Sequence, residues 1–211
     1  MTIHDEPPLT QSGDGSTDLV AILMHGRGGR AEDMQALAGS LGLASARCIF
    51  PVATGSTWYP QRFTAPVEAN EPDLSTALGR YETLVTRLLS EGVPPHRMLL
   101  GGFSQGACLT TEYLARHPRP YAGALIFTGG LIGPPATTWA PQETLAGMPV
   151  YLASSEIDEW VPMDRVRETD TWLRASGADV ATRIFADRPH IVSADEIEDA
   201  RHMIAGLLQP R

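Results

Sequence analysis

Met98-Leu99-Leu100-Gly101-Gly102-Phe103-Ser104-Gln105-Gly106 carries an apolar run into a glycine-flanked serine, and a helical pattern opens at Gln105 and continues to Arg116. By length and composition the run 98–103 is a buried strand, and 105–116 has the periodicity of a helix. At their junction, Gly102-Phe103-Ser104-Gln105-Gly106 matches G-x-S-x-G, the spacing of a strained strand-to-helix turn that exposes a serine hydroxyl. Glycines two residues before and two after the serine let the strand and helix backbones approach closely. The five-residue pattern alone is common; the strand before it and the helix after it make it informative.

Outward from this junction the same alternation repeats. Short apolar runs rich in β-branched residues recur at 19–24, 48–52, 123–128, 150–154 and 180–185, and helical patterns fall at 31–41, 74–90, 163–175 and 194–208. Alternation of this kind predicts a three-layer α/β architecture, a mostly parallel central sheet with helices on both faces and the active site at the carboxyl ends of the strands. Pro162 suits a helix start, Ser193 and Glu196 have the spacing of a capping box, and Gly92 and Gly177 follow helices. The 211 residues suit an N-terminal tail, 1–17, and a single domain, 18–211.

A net charge of −9 argues against nucleic acid or an anionic membrane surface as partner, because both require a basic face. No apolar run approaches the roughly 18 residues of a membrane span, and 1–17 lacks the basic-then-apolar order of a signal peptide, so the expected location is cytoplasmic, with no integral membrane association. Cys48 and Cys108 are the only cysteines, each in an apolar run, which excludes a disulfide framework and a cysteine-rich zinc site. All 16 basic residues are arginine. Without lysine, Schiff-base chemistry, Ser-Lys dyads and the Walker phosphate loop are unavailable.

Ser104 needs a base, and six histidines compete for that role. His4 lies in the tail, His96 before a strand, His117 at a helix end, His202 within a helix, and His25 before the serine rather than after it. His190 sits between the 180–185 strand and the Ser193-capped helix, at a strand's carboxyl end and in the order serine, acid, histidine. Asp158, just past the 150–154 strand, is the preferred acid, with Asp187 and Glu156 as rivals; a carboxylate from a separate strand end can face the imidazole Nδ1 edge. His25-Gly26-Arg27-Gly28-Gly29 follows the first strand and has the character of an oxyanion loop, with the amides of Arg27 and Gln105 as its donors.

Together with Ser56-Thr57-Trp58-Tyr59, Ser155-x-x-Asp158-x-x-Val161-Pro162 and His190-x-Val192-Ser193, these motifs resemble the phospholipase/carboxylesterase family, which includes acyl-protein thioesterases, from about His25 to Leu208. The resemblance implies an α/β-hydrolase fold with little or no cap, no metal or cofactor, and action on carboxylesters, lysophospholipids or acyl thioesters. It supports Ser104, Asp158 and His190 as the catalytic set. Three departures stand out. Arg27 occupies a position where many thioesterase-like members have leucine, Gly29 one where an acid is frequent, and Pro189, preceded by Arg188, the position before the histidine where glycine is common.

The long irregular stretches 53–73 and 129–147 are expected to line the pocket through Trp58, Tyr59 and Phe63 from the first and Leu131 and Ile132 from the second. The expected partner is a small-molecule ester or thioester, and an apolar loop surface is suited to a homodimer. The Arg27 guanidinium either pairs with an anionic substrate group or contributes only its backbone amide. The competing functional class is a hydrolase-fold binding protein that does not turn over its ligand.

Overall fold

The computed structural model of the protein describes residues 6–208. The sequence-based tail and the end of the domain therefore extend outside the described residues at 1–5 and 209–211. The elements are β1 (Leu9–Gln11), β2 (Val20–Met24), α1 (Ala31–Ser40), β3 (Arg47–Phe50), α2 (Asp73–Ser90), β4 (Met98–Phe103), α3 (Gln105–Arg116), β5 (Gly123–Phe127), β6 (Pro149–Ser155), α4 (Met163–Ala175), β7 (Asp179–Phe185) and α5 (Ala194–Leu207). The strands form one sheet in the order β1-β3-β2-β4-β5-β6-β7, parallel throughout except for β1. This is the mostly parallel α/β architecture expected from the alternation of elements, and it agrees with the α/β-hydrolase fold that the resemblance implies.

Strand periodicity assigns the two faces. Val20, Ile22 and Met24 of β2 pack in a cluster with residues of α2, α3 and α4, such as Leu78, Leu109 and Val166. The alternate residues Ala21 and Leu23 pack on the other face with Met34 and Leu37 of α1 and Ile204 of α5. Each face thus owns its own core, as successive side chains of a strand require.

The one correction to element order lies in the stretch read as tail. Leu9–Gln11 pairs antiparallel with β3, Leu9 against Phe50 and Gln11 against Cys48, so the sheet begins before residue 18. Three residues after a Pro-Pro pair show too little alternation to be read locally; pairing with β3 is what orders them. The capping box is present, with the Ser193 N–H donating to Glu196 Oε2 at 2.7 Å and the Glu196 N–H donating to Ser193 Oγ at 3.3 Å.

After β2 the chain turns outward to β3, whereas after β4 it turns the other way, to β5. The carboxyl ends of β2 and β4 therefore form the topological switch point, where a crevice opens. Their register places Met24 beside Gly102, which brings the loop after β2 against the turn after β4. A β-carbon on Gly106 would lie 2.1 Å from the carbonyl oxygen of Met24, and one on Gly102 would lie 2.6 Å from the Gly106 carbonyl carbon. Gly106→Ala is expected to cost about 3 kcal/mol through overpacking against rigid backbone, lowering Tm by roughly 6–12 °C. Gly79→Ala, on the exposed face of α2 with nothing within 4 Å of the added carbon, should raise stability by up to about 1 kcal/mol. Thermal melts of the two variants check both signs.

Candidate active site

Ser104 sits at φ 53°, ψ −118°, a conformation that costs a non-glycine residue on the order of 1–3 kcal/mol. Neighbouring bonds hold it there: the Ser104 N–H donates to Phe127 O of β5 at 2.9 Å, and the Ser104 carbonyl accepts the Cys108 N–H of α3 at 3.0 Å. The strained turn points the hydroxyl out at the head of α3. Ser104 Oγ lies 2.8 Å from His190 Nε2, and His190 Nδ1 lies 2.7 Å from Asp158 Oδ2. A carboxylate can only accept, so Nδ1 carries the ring proton and Nε2 is free to accept from the serine.

Asp158 is fixed by its own loop. Its Oδ1 accepts the N–H groups of Trp160 and Val161, both at 2.9 Å, and its side chain is wholly buried. With Oδ1 held by two amides and Oδ2 by the imidazole, the carboxylate cannot rotate without leaving buried groups unpaired. The rival carboxylates Glu156 and Asp187 are exposed. The Phe103 ring packs 5.0 Å from the His190 ring, centroid to centroid.

Arg27 and Gln105 also reach this place. Among the described residues no protein acceptor takes either amide N–H, and both residues line the cavity with Ser104 and His190. Gln105 does more than offer its backbone. Its side-chain Oε1 accepts the Trp58 N–H at 3.0 Å and its Nε2 donates to Tyr59 O at 2.8 Å, fastening the 53–73 loop to the first residue of α3. The Arg27 guanidinium donates to three carbonyls of the same loop, Tyr59 O at 2.9 Å, Pro60 O at 3.0 Å and Gln61 O at 2.8 Å.

The cavity holds about 470 Å³ and is walled by Tyr59, Phe63, Trp160 and Val161, with Arg62 and Gln61 on its rim. Trp58 is fully buried beneath it, its indole N–H donating to His25 O at 2.8 Å, so it supports the pocket without lining it. Leu131 and Ile132 correct the sequence-based expectation. Both are completely buried in the core and absent from the cavity wall. Their stretch is drawn inward because the Arg165 guanidinium bonds Leu131 O, Gly133 O and Pro134 O, while the Ile132 N–H donates to the Glu112 carboxylate. Apolar residues in a long loop looked like pocket lining; buried polar partners on α3 and α4 make them core.

Cys108 also reaches the cavity wall, where burial pushes its thiol up to about 12. It stays protonated at neutral pH, the form that is a poor nucleophile. Burial likewise raises the Tyr59 hydroxyl well above its usual value. Among the described residues the large exposed apolar side chains are Ile157, Trp160 and Ile191, all on the loops that carry Asp158 and His190. No described helix is long and apolar enough to cross a membrane, and no described group of three or more His, Cys, Asp or Glu is placed to hold a metal ion.

The family model for phospholipase/carboxylesterase matches residues 6–208. The chain belongs to the phospholipase/carboxylesterase family. The crystal structure of a phospholipase/carboxylesterase from Dyadobacter fermentans superposes with a TM-score of 0.90 at 35% identity, covering 97% of this chain and 99% of that one. A protein named acyl-protein thioesterase 1 from Eremothecium gossypii is 26% identical over 186 residues, which cover 79% of this chain and 72% of that protein. A Bacillus cereus carboxylesterase shares the fold, with a TM-score of 0.75 at 22% identity over 95% of this chain and 93% of that one.

One residue of the 25–29 loop has a role that its motif does not disclose. His25, set aside as a base by its place in the chain, is a buried support. Its Nε2 accepts the Ala53 N–H at 3.1 Å, so Nδ1 bears the proton and donates to Gly26 O at 2.7 Å. A polar residue directly after a fully apolar strand was the available signal. His25→Leu, which leaves the Ala53 N–H without that acceptor, should cost about 1–3 kcal/mol, seen as a lower urea midpoint with an unchanged m-value.

Proposed function

We propose that the protein is a serine hydrolase of carboxylic esters, with Ser104 as nucleophile, His190 as base then acid, and Asp158 orienting the imidazole. The observation that carries this reading is the continuous chain from Ser104 Oγ through His190 to Asp158, 2.8 Å and 2.7 Å, opening on a cavity beside the elbow. Ser104 Oγ attacks the ester carbonyl as its proton passes to His190 Nε2, and the Asp158 carboxylate stabilises the imidazolium. The tetrahedral oxyanion is received by the Arg27 and Gln105 amides, each worth on the order of 10²- to 10³-fold in rate. His190 then protonates the departing alkoxide, and a water activated by the same imidazole resolves the acyl-enzyme.

Thioesters enter by the same attack, and the 26% identity to the Eremothecium protein named acyl-protein thioesterase 1 supports testing them. The nearly buried Tyr59 and Cys108 line the cavity together with Ser104, and we take this wall to favour short acyl groups over long ones. In a series of p-nitrophenyl esters of increasing chain length, run beside acyl-CoA and lysophospholipid, kcat/KM should be highest for short acyl esters. Ser104→Ala should lower it by about 10⁴-fold or more and abolish labelling by a fluorophosphonate. A wild type that shows neither labelling nor turnover refutes the hydrolase reading and leaves a binding protein on the same fold.

For Arg27 the donors turned to three loop carbonyls support a role in holding the loop rather than in recognising charge. Arg27→Leu should therefore slow neutral and anionic esters by the same factor. A loss confined to anionic esters would reinstate charge recognition.

A further inference from the structure

The loop between β7 and α5 has little backbone structure of its own. Within it the Ile191 N–H donates to Pro189 O at 2.8 Å, and the residues on either side of His190 form no helix or strand. Yet the loop holds an imidazole whose two nitrogens must meet partners on different strand ends. A chain segment this free would let the ring sample many orientations.

One buried side chain supplies the missing constraint. The Arg188 guanidinium donates from Nη1 to the carbonyls of Pro189 and Ile191, the two residues that flank His190. From Nη2 it donates to Thr128 Oγ1 at 2.8 Å, just past the end of β5. Its Nε lies 3.3 Å from Glu196 Oε2 on α5, close enough for an ion pair but off the hydrogen-bonding direction. Both side chains of that pair are almost completely buried, at 4% and 0% exposed. Its guanidinium also lies over the Phe185 ring, 5.3 Å from the centroid, at the end of β7. A buried cation is costly unless paired and hydrogen-bonded, and this one finds its partners at the ends of β5 and β7, on α5 and within the loop itself.

We propose that Arg188 is a positioning residue for His190: it brackets the histidine by both neighbouring carbonyls and ties that bracket to β5 through Thr128 and to α5 through Glu196. The planar fork is what makes this possible, because several donors in fixed directions reach acceptors on separate segments at once. A lysine has one compact ammonium and cannot span them. The inference rests on the hydrolase reading for its kinetic consequence, whereas its structural content, the orientation of the imidazole, is independent of turnover.

The experiment compares wild type with Arg188→Lys, Arg188→Met and the milder Thr128→Val, which removes one anchor of the fork at nearly constant shape. Kinetics on a p-nitrophenyl ester are normalised to sites titrated with a fluorophosphonate. The expected result is a fall in kcat with KM little changed, on the order of 10²-fold for Arg188→Met, the scale of an ångström-sized misplacement, and a few-fold for Thr128→Val. Arg188→Lys should fall between wild type and Arg188→Met. The second readout is the far-downfield ¹H resonance of the His190 Nδ1 proton hydrogen-bonded to Asp158, present in wild type and broadened or lost in Arg188→Met. Variants that melt at lower temperature but keep wild-type kcat per titrated site and an unchanged Nδ1 resonance would overturn the proposal. Should Arg188→Met not fold, unchanged kcat and resonance in both Thr128→Val and Arg188→Lys would overturn it equally. Absence of wild-type turnover would refute the hydrolase reading alone, with the resonance still deciding the role of Arg188.

Discussion

The approach of Gly106 to the carbonyl of Met24 sets the height of everything at the mouth of the sheet. Because α3 begins within backbone contact of the end of β2, the Ser104 hydroxyl and the Arg27 amide arrive in the same crevice without long loops to carry them. A methyl group at either elbow glycine would separate the helix from the strand. The Gln105 side chain, which grips the 53–73 loop, would move with the helix. The geometry of the candidate site is inherited from backbone packing, which is rigid because protein interiors are close-packed.

What the elbow cannot supply is the position of groups on distant loops, and there the chain relies on arginine. Arg27, Arg165 and Arg188 each donate to two or three backbone carbonyls of irregular segments, at 59–61, 131–134 and 189–191. Such segments leave carbonyls without ladder partners, and a buried unpaired carbonyl is expensive. A guanidinium answers several at once. In a chain without lysine the arginines thus have a second role beyond surface charge, and their local partners are backbone oxygens as often as carboxylates.

This division explains what could be read from the sequence. Strand and helix alternation, the elbow and the capping box are written in short-range patterns, and β2 through α5 appear within a residue or two of their expected bounds. Ser104, Asp158 and His190 were legible for a related reason: each stands at the end of an apolar strand in the required order, so topology brings them together. Leu131 and Ile132 were misread because their burial is decided by Arg165 and Glu112, residues on other elements with nothing in the local sequence to link them. Leu9–Gln11 failed for the same reason, since an edge strand of three residues exists only through its partner.

Arg188 shows where the two kinds of information meet. Pro189 stands where glycine is common in the family, but the meaning of the arginine before it depends on Thr128, which lies 60 residues away, and on Glu196. Glycine before the histidine would give the loop freedom; proline and a buried arginine take it away. Proline restricts the backbone on one side of the imidazole and the guanidinium ties the carbonyls on both, so the two residues act in the same direction. Glu196 is already committed to capping α5 through the Ser193 N–H, and burial raises its carboxyl even with Arg188 opposing that rise. The helix cap, the ion pair and the histidine loop are therefore one coupled unit, and loss of any member leaves a buried polar group exposed to the others without a partner.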